Sequence, residues 1–125
     1  IDPCCGNGFH GYLFNTFTNI KCISYDIQME NNSWSNMIEM EGIEALKTTS
    51  KHIDYCLLLS WIDYEELNIK LMNEYKGYFI ISIGNYDKLS PKYISKLNKD
   101  YNNIKTIYLY MPWGTSEKIE IYKRK

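Results

Sequence analysis

The stretch "IKTIYLYMPWGTSEKIEIYKRK" (Ile104–Lys125) decides the fold. Its two flanks, Ile104–Met111 and Glu117–Lys125, alternate apolar and polar residues at strand period, and only "PWGTS" lies between them. So short a connection holds no crossover helix, so the two strands must pair antiparallel. Upstream the patterns differ. Just before the pair, "SPKYISKLNKDY" (Ser90–Tyr101) predicts a helix with Ser90 as N-cap and Pro91 at the first helical position, burying Tyr93, Leu97 and Tyr101. "GYFIISIG" (Gly77–Gly84) reads as a fifth strand, and Tyr64–Tyr75 as a helix with Leu67, Leu71 and Tyr75 on one face. "IDYCLLLSW" (Ile53–Trp61) is a fourth strand, apolar enough to be buried on both faces. Before it come a brief helix, "GIEALKTT" (Gly42–Thr49), and a loop, "NNSWSNMIEM" (Asn31–Met40), that leads into a short third strand near Met37–Met40. "IKCISYD" (Ile20–Asp26) is the second strand, Phe9–Phe17 a helix with Phe9, Leu13 and Phe17 on one face, and Ile1–Pro3 the end of the first strand. The alternation predicts an α/β domain whose sheet is mostly parallel and closes with a C-terminal antiparallel hairpin.

Composition narrows the function classes. At 125 residues, 45% hydrophobic and 23% charged, the whole chain, 1–125, reads as one globular domain. A net charge of -1 provides no general attraction for phosphate backbones. Lys123-Arg124-Lys125 is the only basic cluster and reads as a solvated strand end. The four cysteines, Cys4, Cys5, Cys22 and Cys56, show neither C-x-x-C zinc spacing nor the density of a disulfide framework. The longest apolar runs are strand-sized, with no signal-peptide pattern, so the expected location is cytoplasmic and no membrane partner is expected.

The chain opens "IDPCCGNGFHGYLF", where two ligand signatures overlap. Gly6, Gly8 and Gly11 spell G-x-G-x-x-G, the turn that receives a dinucleotide, whereas from Asp2 the same loop spells D-P-x-x-G-x-G. Both ligands need glycines, because backbone without Cβ atoms can approach closely and direct its N–H groups at the ligand. Asp2 separates them. A carboxylate four residues ahead of Gly6 repels a pyrophosphate but attracts the ammonium and sulfonium of S-adenosylmethionine. Asp26, at the end of the second strand, can accept hydrogen bonds from ribose hydroxyls in either case.

"DPCCGNG" resembles the first motif of class I S-adenosylmethionine-dependent methyltransferases, whose three-layer, Rossmann-like sheet runs parallel for five strands and ends in an antiparallel hairpin. The order "DPCCGNGFHGYLF", "SYDIQMENNSW", "EGIEAL", "LLLSWIDY", "YKGYFIISIGN" and "MPWGTSEKIEIYKRK" is more narrowly similar to a group of small methyltransferase-like proteins with W-P-P-Y after strand four. The resemblance implies that S-adenosylmethionine is the cofactor. Asp2, Cys4, Gly6 and Gly8 would line its methionine end, Asn7 and Ser60 would also contact the cofactor, Asp26 would bind the ribose, and Ile27 would pack on the adenine. Gly42 is followed by Ile43 and then Glu44, so the acid that commonly meets the adenine amino group is displaced by one place; Ile43 can still cover the ring, and Glu41 or Glu44 can supply a carboxylate.

After strand four the chain departs from amino-methyltransferases. It reads Ser60-Trp61-Ile62-Asp63-Tyr64, without the proline pair that helps grip a target nitrogen, and Trp61 can only donate. Trp61 and Tyr64 can form an aromatic slot for a flat substrate or a methylated cation. Asp63 can act as general base or merely precede a helix as a cap-like acid. A zinc site from Cys4, Cys5, Cys56 and either His10 or His52 is not expected, because adjacent side chains diverge. A nucleophilic Cys5–His10 pair has no orienting acid. Met111-Pro112-Trp113 reads as a turn at the sheet's end. The expected activity is methyl transfer to an unidentified acceptor, whether small molecule, nucleic acid or protein. The alternatives are a degenerate, non-catalytic methyltransferase-like interaction domain and an NAD-dependent oxidoreductase. A chain that begins at the end of a central strand is also expected to be an N-terminally truncated piece of a longer one.

Overall fold

The computed structural model describes residues 1–29, 31–49, 54–62, 64–85, 89–110 and 116–125, the side chain of 116 excepted. In chain order its elements are α1 (Phe9–Phe17), β1 (Ser24–Asp26), β2 (Met37–Glu39), α2 (Gly42–Thr49), β3 (Cys56–Ser60), α3 (Glu65–Glu74), β4 (Phe79–Asn85), α4 (Pro91–Asp100), β5 (Tyr101–Tyr110) and β6 (Ser116–Arg124). The fold is α/β. Its strands form two ladders, a parallel pair β1-β2 and a mixed four-stranded ladder in the order β3-β4-β6-β5.

Within the larger ladder β3 and β4 run parallel, and β6 runs antiparallel to both neighbours. The terminal hairpin is therefore antiparallel, as its short connection requires; residues 112–115 of that connection lie outside the described residues. Where one mostly parallel sheet is expected, there are two ladders, joined through Ile1 and Asp2. Ile1 N donates to Cys56 O at 2.8 Å and Leu58 N to Ile1 O at 2.8 Å. On the other side Asp2 N donates to Ile23 O at 2.9 Å and Tyr25 N to Asp2 O at 2.8 Å. Ile1 and Asp2 thus carry hydrogen bonds to both ladders, in the parallel sense at Asp2 and Ser24.

The helical core forms where the apolar spacing placed it. On α4 Tyr93 and Leu97 are buried, and Tyr101, which ends the helix and begins β5, is buried with them. Ser90 caps α4 by accepting from Tyr93 N at 3.1 Å. From α3 come Leu71 and Met72, with Tyr75 at its C-cap, and from α2 Ala45 and Leu46. The alternating residues Leu57 and Leu59 of β3, Ile80 of β4 and Tyr122 of β6 meet these helices. Leu58, on the opposite face of β3, is also buried, so β3 is covered on both faces as its run of leucines requires.

The helix α1 corrects the sequence expectation. Phe9 and Phe17 are exposed and Leu13 half-buried, and Gly11 is the residue that packs inward. A Cβ on Gly11 would collide with Ser24 Oγ, so α1 approaches β1 through the glycine rather than through an aromatic face. Ser24 faces α1 while the next residue, Tyr25, enters the core with Ala45 and Leu46 of α2. Successive strand residues point to opposite faces, which puts α1 and α2 on opposite sides of β1.

The basic tail is a second correction. Arg124 is not a solvated strand end. Its Nε donates to Gly77 O at 3.0 Å, its Nη2 to Tyr75 O at 2.8 Å and to Tyr101 Oη at 2.6 Å, and the guanidinium lies 4.9 Å from the Tyr101 ring centroid. One planar fork so joins the end of α3, the entry to β4 and the α4–β5 junction. Among the described residues no helix is long and apolar enough to cross a membrane. Arg124→Ala is expected to destabilise the fold by about 2 kcal/mol, with Arg124→Lys recovering less than half of it, because an ammonium cannot make the fork. Urea unfolding of the three proteins checks both values.

Candidate functional site

The loop between Asp2 and α1 turns twice through the left-handed region, at Gly6 (φ 54°) and Gly8 (φ 75°). Glycine is required at Gly8 for space as well, since a Cβ there would lie 2.5 Å from Ser35 Oγ and 3.0 Å from Met37 Sδ. A Cβ at Gly6 would meet nothing within 4 Å, so this part of the loop faces open space. The turns bring Asp2, Cys4, Cys5, Gly6, Asn7, Phe9, His10, Ser60 and Trp61 around one cavity of about 400 Å³. Its volume falls within the range of small-molecule pockets.

Six residues singled out by the sequence line this cavity: Asp2, Cys4, Gly6, Asn7, Ser60 and Trp61. Gly8 lies just outside and opens α1, its N–H donating to Cys5 O at 2.9 Å. Asp26 stands beside the loop and holds it, its Oδ2 accepting from Gly6 N at 2.8 Å and its Oδ1 from Gln28 N at 3.1 Å. Ile27 is exposed, Ile43 packs half-buried against the core, and Glu44 is exposed in the first turn of α2. Glu41 caps that helix, accepting from Ile43 N and Glu44 N at 3.1 Å each. Tyr64 is exposed and does not line the cavity, so Trp61 and Tyr64 do not form a slot there. Asp63, His52 and Met111-Pro112-Trp113 lie outside the described residues.

Asp2 dominates the electrostatics. It is 1% exposed, and neither carboxylate oxygen meets a donor among the described residues in full hydrogen-bond geometry, although the Cys4 backbone N–H is near enough to favour its charge. Burial pushes its pKa from the ordinary 3.8 up to about 7 against the N-terminal ammonium and the Cys4 N–H, which lower it, and the negative charge of nearby Asp26 adds a smaller rise. Burial also pushes the Cys4 and Cys5 thiols up to about 12, which removes them as nucleophiles at neutral pH. Cys5 Sγ instead contacts Met37 Sδ at 3.3 Å. Among the described residues no three His, Cys, Asp or Glu side chains are grouped to hold a metal ion.

Cys5, Phe9 and His10 are the lining residues that sequence reasoning did not place in a cofactor site. His10 Nδ1 lies 3.2 Å from Ser60 Oγ, joining the first turn of α1 to the end of β3. Burial lowers the His10 pKa below its ordinary 6.5, so the ring is neutral at pH 7. The available signal was positional: the first residues of a helix that follows a glycine turn face whatever the turn holds. Trp61 carries the site's backbone strain, with φ 54° at a non-glycine residue and its N–H donating to Ile83 O at 3.0 Å.

No protein-family model matches the chain, and no curated protein matches it in sequence.

Two outcomes follow from this geometry. Between pH 4 and 7 the folded chain keeps a proton on Asp2 that the unfolded chain has released, so raising the pH through this window favours unfolding. Stability of the ligand-free protein is therefore expected to fall across the window by up to about 4 kcal/mol, and Asp2→Asn to flatten the profile, as read by urea melts at successive pH values. Trp61→Gly is expected to be more stable than Trp61→Ala by about 1 kcal/mol, the reverse of the usual order, because only glycine adopts the left-handed backbone without cost. Thermal melts of the two variants check the order.

Proposed function

We propose that this chain is an S-adenosylmethionine-binding domain of the class I methyltransferase type that transfers a methyl group to an acceptor at the cavity of Asp2. The observation that carries the reading is the buried Asp2 carboxylate on a cavity that the first residues of α1, Phe9 and His10, also line. A negative group and the positive end of a helix in one pocket match the ammonium and carboxylate of an α-amino acid. Open space at Gly6 and the exposed flank of Asp26 leave room for the rest of the ligand, with Asp26 able to accept from ribose hydroxyls. The strand sequence supports the same reading: Ile1–Asp2 lies between β1 and β3, and in the order β2-β1-(Ile1–Asp2)-β3-β4-β6-β5 only β6 runs against the rest.

When bound, the cofactor would supply an electrophilic methyl group on a sulfonium. The chain's own residues bind and orient. Asp2, Cys4, Gly6 and Asn7 would hold the amino-acid end, and Trp61 closes the wall at β3. Neutral His10, steadied by Ser60, can take a proton from an acceptor that loses one on methylation. NAD is disfavoured, because its pyrophosphate would approach the Asp2 carboxylate. A non-catalytic, ligand-binding domain is the second reading, favoured by the exposure of Tyr64 away from the cavity and by the missing proline pair.

Calorimetric titration with S-adenosylhomocysteine and with NAD tests the proposal. Saturable binding of the first, weakened by Asp26→Ala, absent for NAD and roughly tenfold tighter at pH 8 than at pH 6 as Asp2 ionises, is the expected result. A folded chain that binds neither compound refutes it. Binding with no methyl transfer to any acceptor class establishes the second reading.

A further inference from the structure

The four-stranded ladder ends at β5, which among the described residues has a strand on one side only. Along its ten residues it presents a free edge of N–H and C=O groups able to pair with another chain. Its two halves differ. The first is guarded by the register shift between Asn103 and Lys105 and by the Lys105 charge. The second, residues 106–110, carries no charge, no proline and no register shift. Its pairing with β6 puts Thr106, Tyr108 and Tyr110 on one face and Ile107 and Leu109 on the other. Tyr108 and Tyr110 are 80% and 93% exposed, Ile107 is exposed too, and Leu109 is half-buried.

We propose that residues 106–110 pair antiparallel with the same residues of a second copy of this chain, across a two-fold axis at Tyr108, so that two sheets join edge to edge. In that register the strand complements itself. Tyr108 meets Tyr108 of the partner subunit, Tyr110 meets the partner's Thr106, and Ile107 meets the partner's Leu109, which are the aromatic, β-branched and apolar pairs that stabilise neighbouring strands. Moving the axis to Ile107 would instead set Lys105 against the partner's Leu109. With the axis at Tyr108 the two copies of Lys105 stand at opposite ends of the pairing, about 20 Å apart and beyond a Debye length. Lys118, opposite Tyr108 on β6, is offset by Glu120 at 3.1 Å. The two exposed tyrosines with Ile107 and Leu109 give the pair at most about 1,000 Å² to bury, the lower end of specific interfaces, so the dimer is a reversible one. A contact of this kind uses up the edge of each copy and closes at two, since the strand at the other end of the array, β2, offers three residues. β5 is separated from β3 by β4 and β6, and its pairing stands whether or not the cavity of Asp2 takes S-adenosylmethionine.

Sedimentation velocity of the unmutated chain, from about 1 to about 200 μM, tests the proposal, with a monomer–dimer equilibrium in the micromolar range as the expected result. Tyr108→Lys sets two cations face to face on the axis and is expected to weaken the dimer roughly tenfold or more. Ile20→Lys adds the same charge at an exposed residue away from β5 and should leave the dimer unchanged. Circular dichroism checks that both variants keep the fold. Mild oxidation of Tyr108→Cys is expected to give a dimer linked through residue 108, located by peptide mass mapping, whereas Tyr110→Cys, which faces the partner's Thr106, gives no such link. A chain that stays monomeric across the concentration range overturns the proposal. So does a dimer indifferent to Tyr108→Lys, or an assembly that grows past two copies.

Discussion

Two peptide groups hold the molecule together across its middle. Ile1 hydrogen-bonds to β3 and Asp2 to β1, and through them the β1-β2 ladder meets the four-stranded ladder. Among the described residues α2 also lies against α3, and His10 Nδ1 meets Ser60 Oγ at 3.2 Å across the same boundary. Backbone bonds of this kind specify register as well as adhesion, since a slip by one residue would turn Asp2 from one face to the other. The cavity's position therefore follows from the same bonds that join the sheet, because Asp2 heads the segment and Cys5 N returns to Tyr25 O at 3.0 Å to fix the start of the loop.

This arrangement has a cost in stability. A buried carboxylate costs free energy whenever it is ionised, and the fold tolerates it by holding a proton there up to about pH 7. Trp61 repeats the pattern on the lining of the same cavity, where a bulky residue occupies a conformation suited to glycine. Two local rules are therefore broken around one cavity.

Where burial follows spacing along one element, the sequence was legible. The Tyr93–Leu97–Tyr101 stripe, the leucines of β3, the helix Gly42–Thr49 and the antiparallel final pair were all written in period and turn length. The helix α1 was misread because its aromatic stripe is more conspicuous than the single glycine through which it packs; Phe9 instead meets Trp34 edge-on at 5.4 Å between centroids. Arg124 was misread because a charge next to two lysines looks solvated, and only tertiary folding brings Tyr75, Gly77 and Tyr101 within its reach. Asp2, Gly6 and Asn7, which the motif singles out, line one cavity, whereas Gly8 lies just outside it. The His10–Ser60 contact was not legible, since fifty residues separate the partners and no local pattern encodes the approach of α1 to the end of β3.

Trp61 is where these levels meet. It follows directly on a strand buried on both faces, and it lines both the cavity of Asp2 and a smaller one beside α3. Its N–H bond to Ile83 carries the β3–β4 pairing one residue beyond the ladder, so the chain turns only after Trp61 is fixed. An extended conformation would instead continue the alternation of β3 and direct the indole to the face opposite Ser60. The left-handed turn breaks that alternation, and the side chain can then border both spaces at once.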